Sequence, residues 1–182
     1  MEQKNISIIS NTKNSEDGKS EDTKDIRLIN TVIILKQLNF PQCVAKWAVV
    51  TNSNIVFRFK NVKEFEACFL LKDTIFQELK FCRDFRNSTQ REEYKYDVNY
   101  SELKAGVVKK LDGNKLRRKK ALLLHRNIPQ CVAQWARINT ECVSLKFESF
   151  EVLEELMSII DIIESELDVC LKNDANKDNT TH

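Results

Sequence analysis

Glycine and proline are scarce in this chain of 182 residues, which has three of the first and two of the second. So few exclude collagen-like and low-complexity classes and leave no glycine-rich loop of the kind that cradles nucleotide phosphates. Histidine is nearly absent: His125 and His182 cannot build a histidine-rich metal site and are a thin basis for acid/base chemistry. The six cysteines, Cys43, Cys68, Cys82, Cys131, Cys142 and Cys170, include no C-x-x-C pair, so no metal and no cofactor are expected. They read as free thiols packed in a reducing compartment, in preference to a Cys43 or Cys131 nucleophile paired with His125. No apolar run, Leu122 to Leu124 included, approaches the twenty or so residues of a membrane span. The first residues, Met1 to Asn5, lack a basic segment followed by an apolar stretch, and an intracellular protein without membrane contact is expected. With no nucleophile, metal cluster or carboxylate pair at chemical spacing, neither an enzyme nor a small-molecule substrate is expected.

The length suits one globular unit with a core of its own. A formal net charge of +2 hides a segregation along the chain. Lys104, Lys109, Lys110, Lys115, Arg117, Arg118, Lys119, Lys120 and Arg126 face a single acid, Asp112, between residues 104 and 126. Between Phe147 and Leu171 there are eight acids and neither lysine nor arginine. The basic strip either contacts phosphates or is a solvated loop that offsets the acidic segment.

Residues 1–24 and 172–182 are polar and read as disordered tails around a domain at 25–171. Ile6 to Ile9 is either part of a mobile tail or a short strand added to a partner's sheet edge. Ile26 to Leu38 reads as a short strand and a helix, stopped by Phe40-Pro41. Trp47–Val50 and Ile55–Phe59 flank a turn-rich tetrapeptide and predict a hairpin, with Ile55, Phe57 and Phe59 on one face and Arg58 on the other. Glu64–Leu71 alternates as a third strand, Arg83–Glu93 reads as a loop, and Tyr94–Val98 as a strand before a helix that carries Leu103 to Leu111. Ala121–Leu124, Val132–Ile138 and Cys142–Phe147 predict further strands. Ser149 caps a closing acidic helix whose apolar stripe runs from Phe150 to Leu167.

The most specific internal feature is a repeat. Pro41-Gln42-Cys43-Val44-Ala45-Lys46-Trp47-Ala48 returns as Pro129-Gln130-Cys131-Val132-Ala133-Gln134-Trp135-Ala136, with seven of eight positions identical. Each copy leads to a β-prone run, Phe57-Arg58-Phe59 or Leu145-Lys146-Phe147, so the repeating unit exceeds the motif. Trp47 and Trp135 are expected at related, largely buried places, in preference to forming a base-stacking platform.

Ile34-Leu35-Lys36-Gln37-Leu38-Asn39-Phe40, the hairpin around Thr51 to Phe59, Asn61 with Lys63, Ala67, Ile75-Phe76-Gln77-Glu78-Leu79-Lys80 and Tyr96 to Leu103 resemble, in order and spacing, a known family. They are similar to the first domain of the Rad-one-type subunit of the nine-one-one DNA-damage checkpoint clamp, a PCNA-like sliding clamp. The resemblance covers residues 26–111 and implies an α+β fold, a clamp-like domain of two β-α-β-β-β half-units, here followed by the acidic helix. It also implies that Lys36, Lys104, Lys109 and Lys110 lie on helices that meet the DNA backbone. To these the basic strip adds Lys115, Arg117, Arg118, Lys119 and Lys120.

The expected role is that of a non-enzymatic, nuclear checkpoint or repair clamp-type protein. It would assemble with other clamp-type subunits and associate with the backbone of duplex DNA without reading sequence. Two alternatives stand beside it: a protein–protein adaptor, nuclear or cytoplasmic, without nucleic acid, and a tandem RNA-binding module whose two β-rich halves would expose aromatics on a sheet face.

Overall fold

The computed structural model of the protein describes residues 21–52, 54–93 and 113–178. The first half comprises helix α1 (Glu21–Gln37), strands β1 (Ala48–Thr51) and β2 (Asn54–Phe59), and helices α2 (Val62–Phe69) and α3 (Lys72–Glu93). The second repeats the order with α4 (Gly113–His125), β3 (Ala136–Ile138), β4 (Val143–Phe147), α5 (Phe150–Met157) and α6 (Ile160–Asp178), adding a 3-10 turn at Gln130–Val132. The fold is α+β, with one antiparallel sheet ordered β1-β2-β4-β3. Among the described residues each half runs α-β-β-α-α, where the resemblance implied β-α-β-β-β.

The repeat is a pseudo-twofold. Phe57 pairs with Leu145 across the two central strands, and these are equivalent positions under the offset that carries Pro41 to Pro129. The pairs Ile55–Phe147 and Phe59–Val143 exchange under the same operation. One sheet face is buried, with Ile55, Phe57, Phe59, Val143, Leu145 and Phe147 all nearly inaccessible. Phe40, Phe57 and Phe147 meet there with ring centroids 4.7–6.2 Å apart. Helices α2 and α5 cover this face with equivalent stripes, Val62, Phe65, Cys68 and Phe69 in one and Phe150, Leu153, Leu156 and Met157 in the other.

Both leading helices end by the same device. The Phe40 N–H donates to Leu35 O and the Asn39 N–H to Lys36 O; likewise Ile128 donates to Leu123 O and Asn127 to Leu124 O. These are Schellman closures, with asparagine in the left-handed region at φ 50° and 57°. Glycine would satisfy the backbone, but asparagine also supplies a donor: Asn39 Nδ2 bonds Cys82 O on α3 and Asn127 Nδ2 bonds Cys170 O on α6. Next to each closure a carboxylate braces the repeated motif. Glu78 Oε2 accepts from the Gln42 and Cys43 N–H groups, and Glu166 Oε2 from that of Cys131.

The halves interlock, because α2 packs on α6 and α3 on α5. Ion pairs join the halves too: Arg83 with Glu154 and Arg86 with Glu151 link α3 to α5, and Lys72 with Glu164 links the start of α3 to α6. Three acids of the segment, Glu151, Glu154 and Glu164, thus pair with α3, and among the described residues none pairs with the basic strip.

Several expected elements differ. Residues 26–37 are helical throughout, within α1, and Arg83–Glu93 continues α3 instead of looping. Glu64–Leu71, expected as a strand, lies mostly in α2, where Asn61 Oδ1 accepts from the Glu64 N–H and starts the helix. Ala121–Leu124 belongs to α4, and only Ala136–Ile138 of the expected 132–138 strand pairs in the sheet. The closing helix breaks between Met157 and Ile160. Ordered helix extends from Glu21 to Asp178, past both ends of the 25–171 expectation. The strand at Tyr94–Val98 and the helix after it lie outside the described residues, as does Ile6–Ile9. The hairpin and the Cys142–Phe147 strand form where expected, within a residue or two.

Candidate nucleic-acid interface

Lys115, Arg117, Arg118, Lys119 and Lys120 lie on α4, a helix and not the loop expected of them. Arginine, lysine and leucine favour helix, and Leu116, Lys119 and Leu123 repeat at i, i+3 and i+7, the spacing of one helix face. Leu123 is buried and Leu116 and Lys119 half-buried, which leaves Lys115, Arg117, Arg118 and Lys120 in solvent. Among the described residues none of these cations makes an ion pair. Like charges three apart, as in Lys115/Arg118 and Arg117/Lys120, oppose each other by about 0.2–0.5 kcal/mol per pair. The first turn of α4 holds no acid, and Asp112, the acid that precedes it in sequence, lies outside the described residues.

Lys119 turns inward toward the sheet. Burial, and next the Arg137 guanidinium, hold its pKa below the ordinary lysine value. Arg126, at the foot of α4, is committed to structure and donates to Asn139 O and Thr140 O in the β3–β4 turn.

Arg137 belongs to the sheet face opposite the core. Strand register places Arg58, Ser144 and Arg137 in one row across β2, β4 and β3, with Trp47 at its far end through the Arg58 N–H to Trp47 O bond. The adjacent row holds Val49, Val56 and Lys146, and ends at Trp135 through the equivalent Lys146 N–H bond. At about 4.8 Å per strand, Arg58 and Arg137 stand about 10 Å apart along the row. Cations therefore run from the α1 edge of the sheet to α4. Trp47 and Trp135 hold related positions as expected, but they are half-buried and not largely buried.

Where α1 meets this face a groove of about 870 Å³ opens, lined by Lys24, Arg27, Lys46, Trp47, Arg58, Lys60 and Lys63 among others. Its acids are Asp25, Glu64 and Glu141. Glu64 is already engaged, accepting from the Lys60 N–H. Lys46 lies over the Trp47 ring with Nζ 5.6 Å from the centroid.

Of the residues that the resemblance brought forward, Lys36 is exposed in the last turn of α1. Helix α1 packs at β1 and α4 at β3, the two outer strands, so Lys36 is not gathered with the strip. Lys104, Lys109 and Lys110 lie outside the described residues. The expectations passed over Arg58, Arg137, Lys146 and the groove cations. The alternation of the hairpin did turn Arg58 away from the core, but only strand pairing joins it to Arg137.

Burial holds the thiols of Cys43, Cys68, Cys82, Cys131 and Cys170 protonated. Burial, and then Glu166, push Cys131 up to about 12; burial and then Glu78 push Cys82 up to about 11. Burial, a hydrogen bond to Glu78 and its charge raise Cys43 as well. Such surroundings oppose a thiolate nucleophile. Among the described residues no three His, Cys, Asp or Glu side chains gather as a metal would require, and no helix is long and apolar enough to cross a membrane.

Compared with protein-family models, curated proteins and solved structures, the chain finds no match in any of the three.

Proposed function

We propose that the protein is a non-enzymatic nucleic-acid-binding protein that grips the backbone of DNA through α4 and the outer sheet face without reading base sequence. The observation that carries this reading is that, among the described residues, Lys115, Arg117, Arg118 and Lys120 make no ion pair, while Glu151, Glu154 and Glu164 of the acidic segment pair with α3. A polyanion relieves their mutual repulsion, and phosphates recur along DNA at a spacing the helix and the Arg58–Arg137 row can follow. Such binding is driven by counterion release, so it weakens steeply with salt.

The test is a mixed-sequence duplex titrated against the full chain and against the Lys115→Gln, Arg117→Gln, Arg118→Gln, Lys120→Gln variant. Glutamine keeps helix propensity, so folding survives. The slope of log K against log salt should flatten by about 0.9 for each lost phosphate contact, and by up to about 3.6 for four. An unchanged slope removes α4 from the interface.

Assembly with other clamp-type subunits, in the nucleus, is the second part of the proposal. It is favoured by the two sheet edges, β1 and β3, which the internal pseudo-twofold makes equivalent and which would allow strand-to-strand pairing. The helix-rich halves differ from clamp half-units, so this part rests on the edges and on the resemblance. Sedimentation of the chain alone should then give a concentration-dependent mass; a monomer at all concentrations argues against self-assembly through those edges. The adaptor reading, in which the domain pairs edge to edge with another subunit and the strip is only solvated, predicts instead that the four substitutions leave DNA affinity unchanged.

A further inference from the structure

The two halves serve as internal controls for each other. What the fold needs is kept in both: the Asn39 and Asn127 closures, the Glu78 and Glu166 braces, and both tryptophans. Differences are spread along the two halves, Val49 against Arg137 and Phe76 against Glu164 among them, and they include the groove. The positions equivalent to Lys46, Lys60 and Lys63 are Gln134, Glu148 and Glu151. Glu148 stands 3.6 Å from Lys146, the counterpart of Arg58, and Glu151 pairs with Arg86. The second half therefore neutralises the position that the first half leaves cationic, and among the described residues Arg58 makes no ion pair. Glu148 and Glu151 thus serve contacts inside the second half's surroundings, whereas Lys60 and Lys63 line the groove of the first.

Size and chemistry narrow the occupant. About 870 Å³ lies within the range of sites that enclose ligands of one to a few ring systems. A B-form duplex, whose major groove alone is about 12 Å wide, does not enter such a space. Trp47 lines the groove half-buried, packed in part against the core, with Lys46 Nζ 5.6 Å from its ring centroid. A ring face beside a cation is the pairing that holds bases of a single strand while lysines and arginines track its phosphates.

We propose that the groove between α1, Trp47 and the start of α2 binds a single nucleic-acid strand, with a base on Trp47 and phosphates on Arg27, Arg58, Lys60 and Lys63. The inference rests on the nucleic-acid reading above and adds to it a strand state and a place. Duplex backbone follows α4, and an unpaired strand enters the groove. Asp25 and Glu141 at the lining limit its net charge, which favours a short contact over a long electrostatic track.

The probe is a short fluorescein-labelled dT oligomer, with the mixed-sequence duplex measured in parallel by anisotropy. Lys60→Glu with Lys63→Glu writes the second half's charges into the first. It should weaken dT binding about tenfold or more and flatten its salt slope by about 0.7 per lost contact, or about 1.4 in all. Duplex affinity, which rests mainly on α4, should fall much less than dT affinity. In a Trp135→Phe chain the remaining tryptophan is Trp47, and its fluorescence should be quenched saturably by the unlabelled dT oligomer. Unchanged dT affinity in the charge variant, equal losses for dT and duplex, or no quenching of Trp47 would each overturn the proposal. Loss of duplex binding in the α4 variant speaks only to α4, so failure of the two readings can be told apart.

Discussion

Replacing Asn127 tests whether the closures that end α1 and α4 need both the backbone and the side chain of asparagine. Asn127 is 8% exposed, holds φ at 57°, and donates from Nδ2 to Cys170 O at 2.7 Å. Asn127→Gly keeps the left-handed backbone without strain, loses the hydrogen bond at about 1 kcal/mol and adds about 0.5–1 kcal/mol of chain entropy. Asn127→Ala loses the same bond and also the short polar side chain that makes the left-handed region tolerable to asparagine, a further 1–2 kcal/mol or so. The expected order is wild type, then glycine at a cost of about 1.5–2 kcal/mol, then alanine at about 2–3 kcal/mol. Asn39→Ala should behave alike, because its φ is 50° and it bonds Cys82 O at 2.9 Å. If the sites are independent, the double alanine variant loses about 5 kcal/mol, close to the whole stability of a marginal domain. Guanidinium unfolding of the single, paired and glycine variants, followed by far-UV circular dichroism, measures these values. Alanine at least as stable as glycine at position 127, or both within about 0.5 kcal/mol of wild type, would refute the account of the closures.

Two further outcomes are expected. Phe57→Ala removes a fully buried ring from the Phe40–Phe57–Phe147 cluster and should cost about 3–5 kcal/mol in urea unfolding, whereas Arg83→Gln, at an exposed ion pair, should cost under about 1 kcal/mol. Alkali should also destabilise the fold through its thiols. Cys131 is raised from 9.0 to about 12 on folding, so its contribution is complete below about pH 9 and is lost as pH rises toward about 12. Urea midpoints measured across that window should fall, and the fall should be smaller in a Cys131→Ala chain after its own baseline loss is subtracted.

The legibility of the fold in the sequence varied with how local its causes were. The β1–β2 hairpin was readable because Ile55, Phe57 and Phe59 alternate with Arg58 and flank a turn, and all of that lies within a few residues. Helix α2 was not, since Phe65, Ala67, Phe69 and Leu71 also alternate. The competing helical stripe of Val62, Phe65, Cys68 and Phe69 and the Asn61–Glu64 cap outweigh that pattern once α6 supplies a packing partner. The repeat around Trp47 and Trp135 was plain, but its consequence, a pseudo-twofold through Phe57 and Leu145, depends on β2 pairing with β4. The strip on α4 stood out by charge density. The row from Arg58 to Arg137 did not, because its members are far apart in sequence and meet only through three paired strands.

The central claim is that the cations on α4 and the outer sheet face meet nucleic-acid backbone. Anisotropy of a labelled mixed-sequence duplex, titrated with the full chain over a series of salt concentrations and repeated with a scrambled duplex, tests it most directly. The account predicts a slope of log K against log salt of about −3 to −5, four or so phosphates at about −0.9 each, and the same affinity for both sequences. A slope near zero, or no binding at low salt, would contradict it.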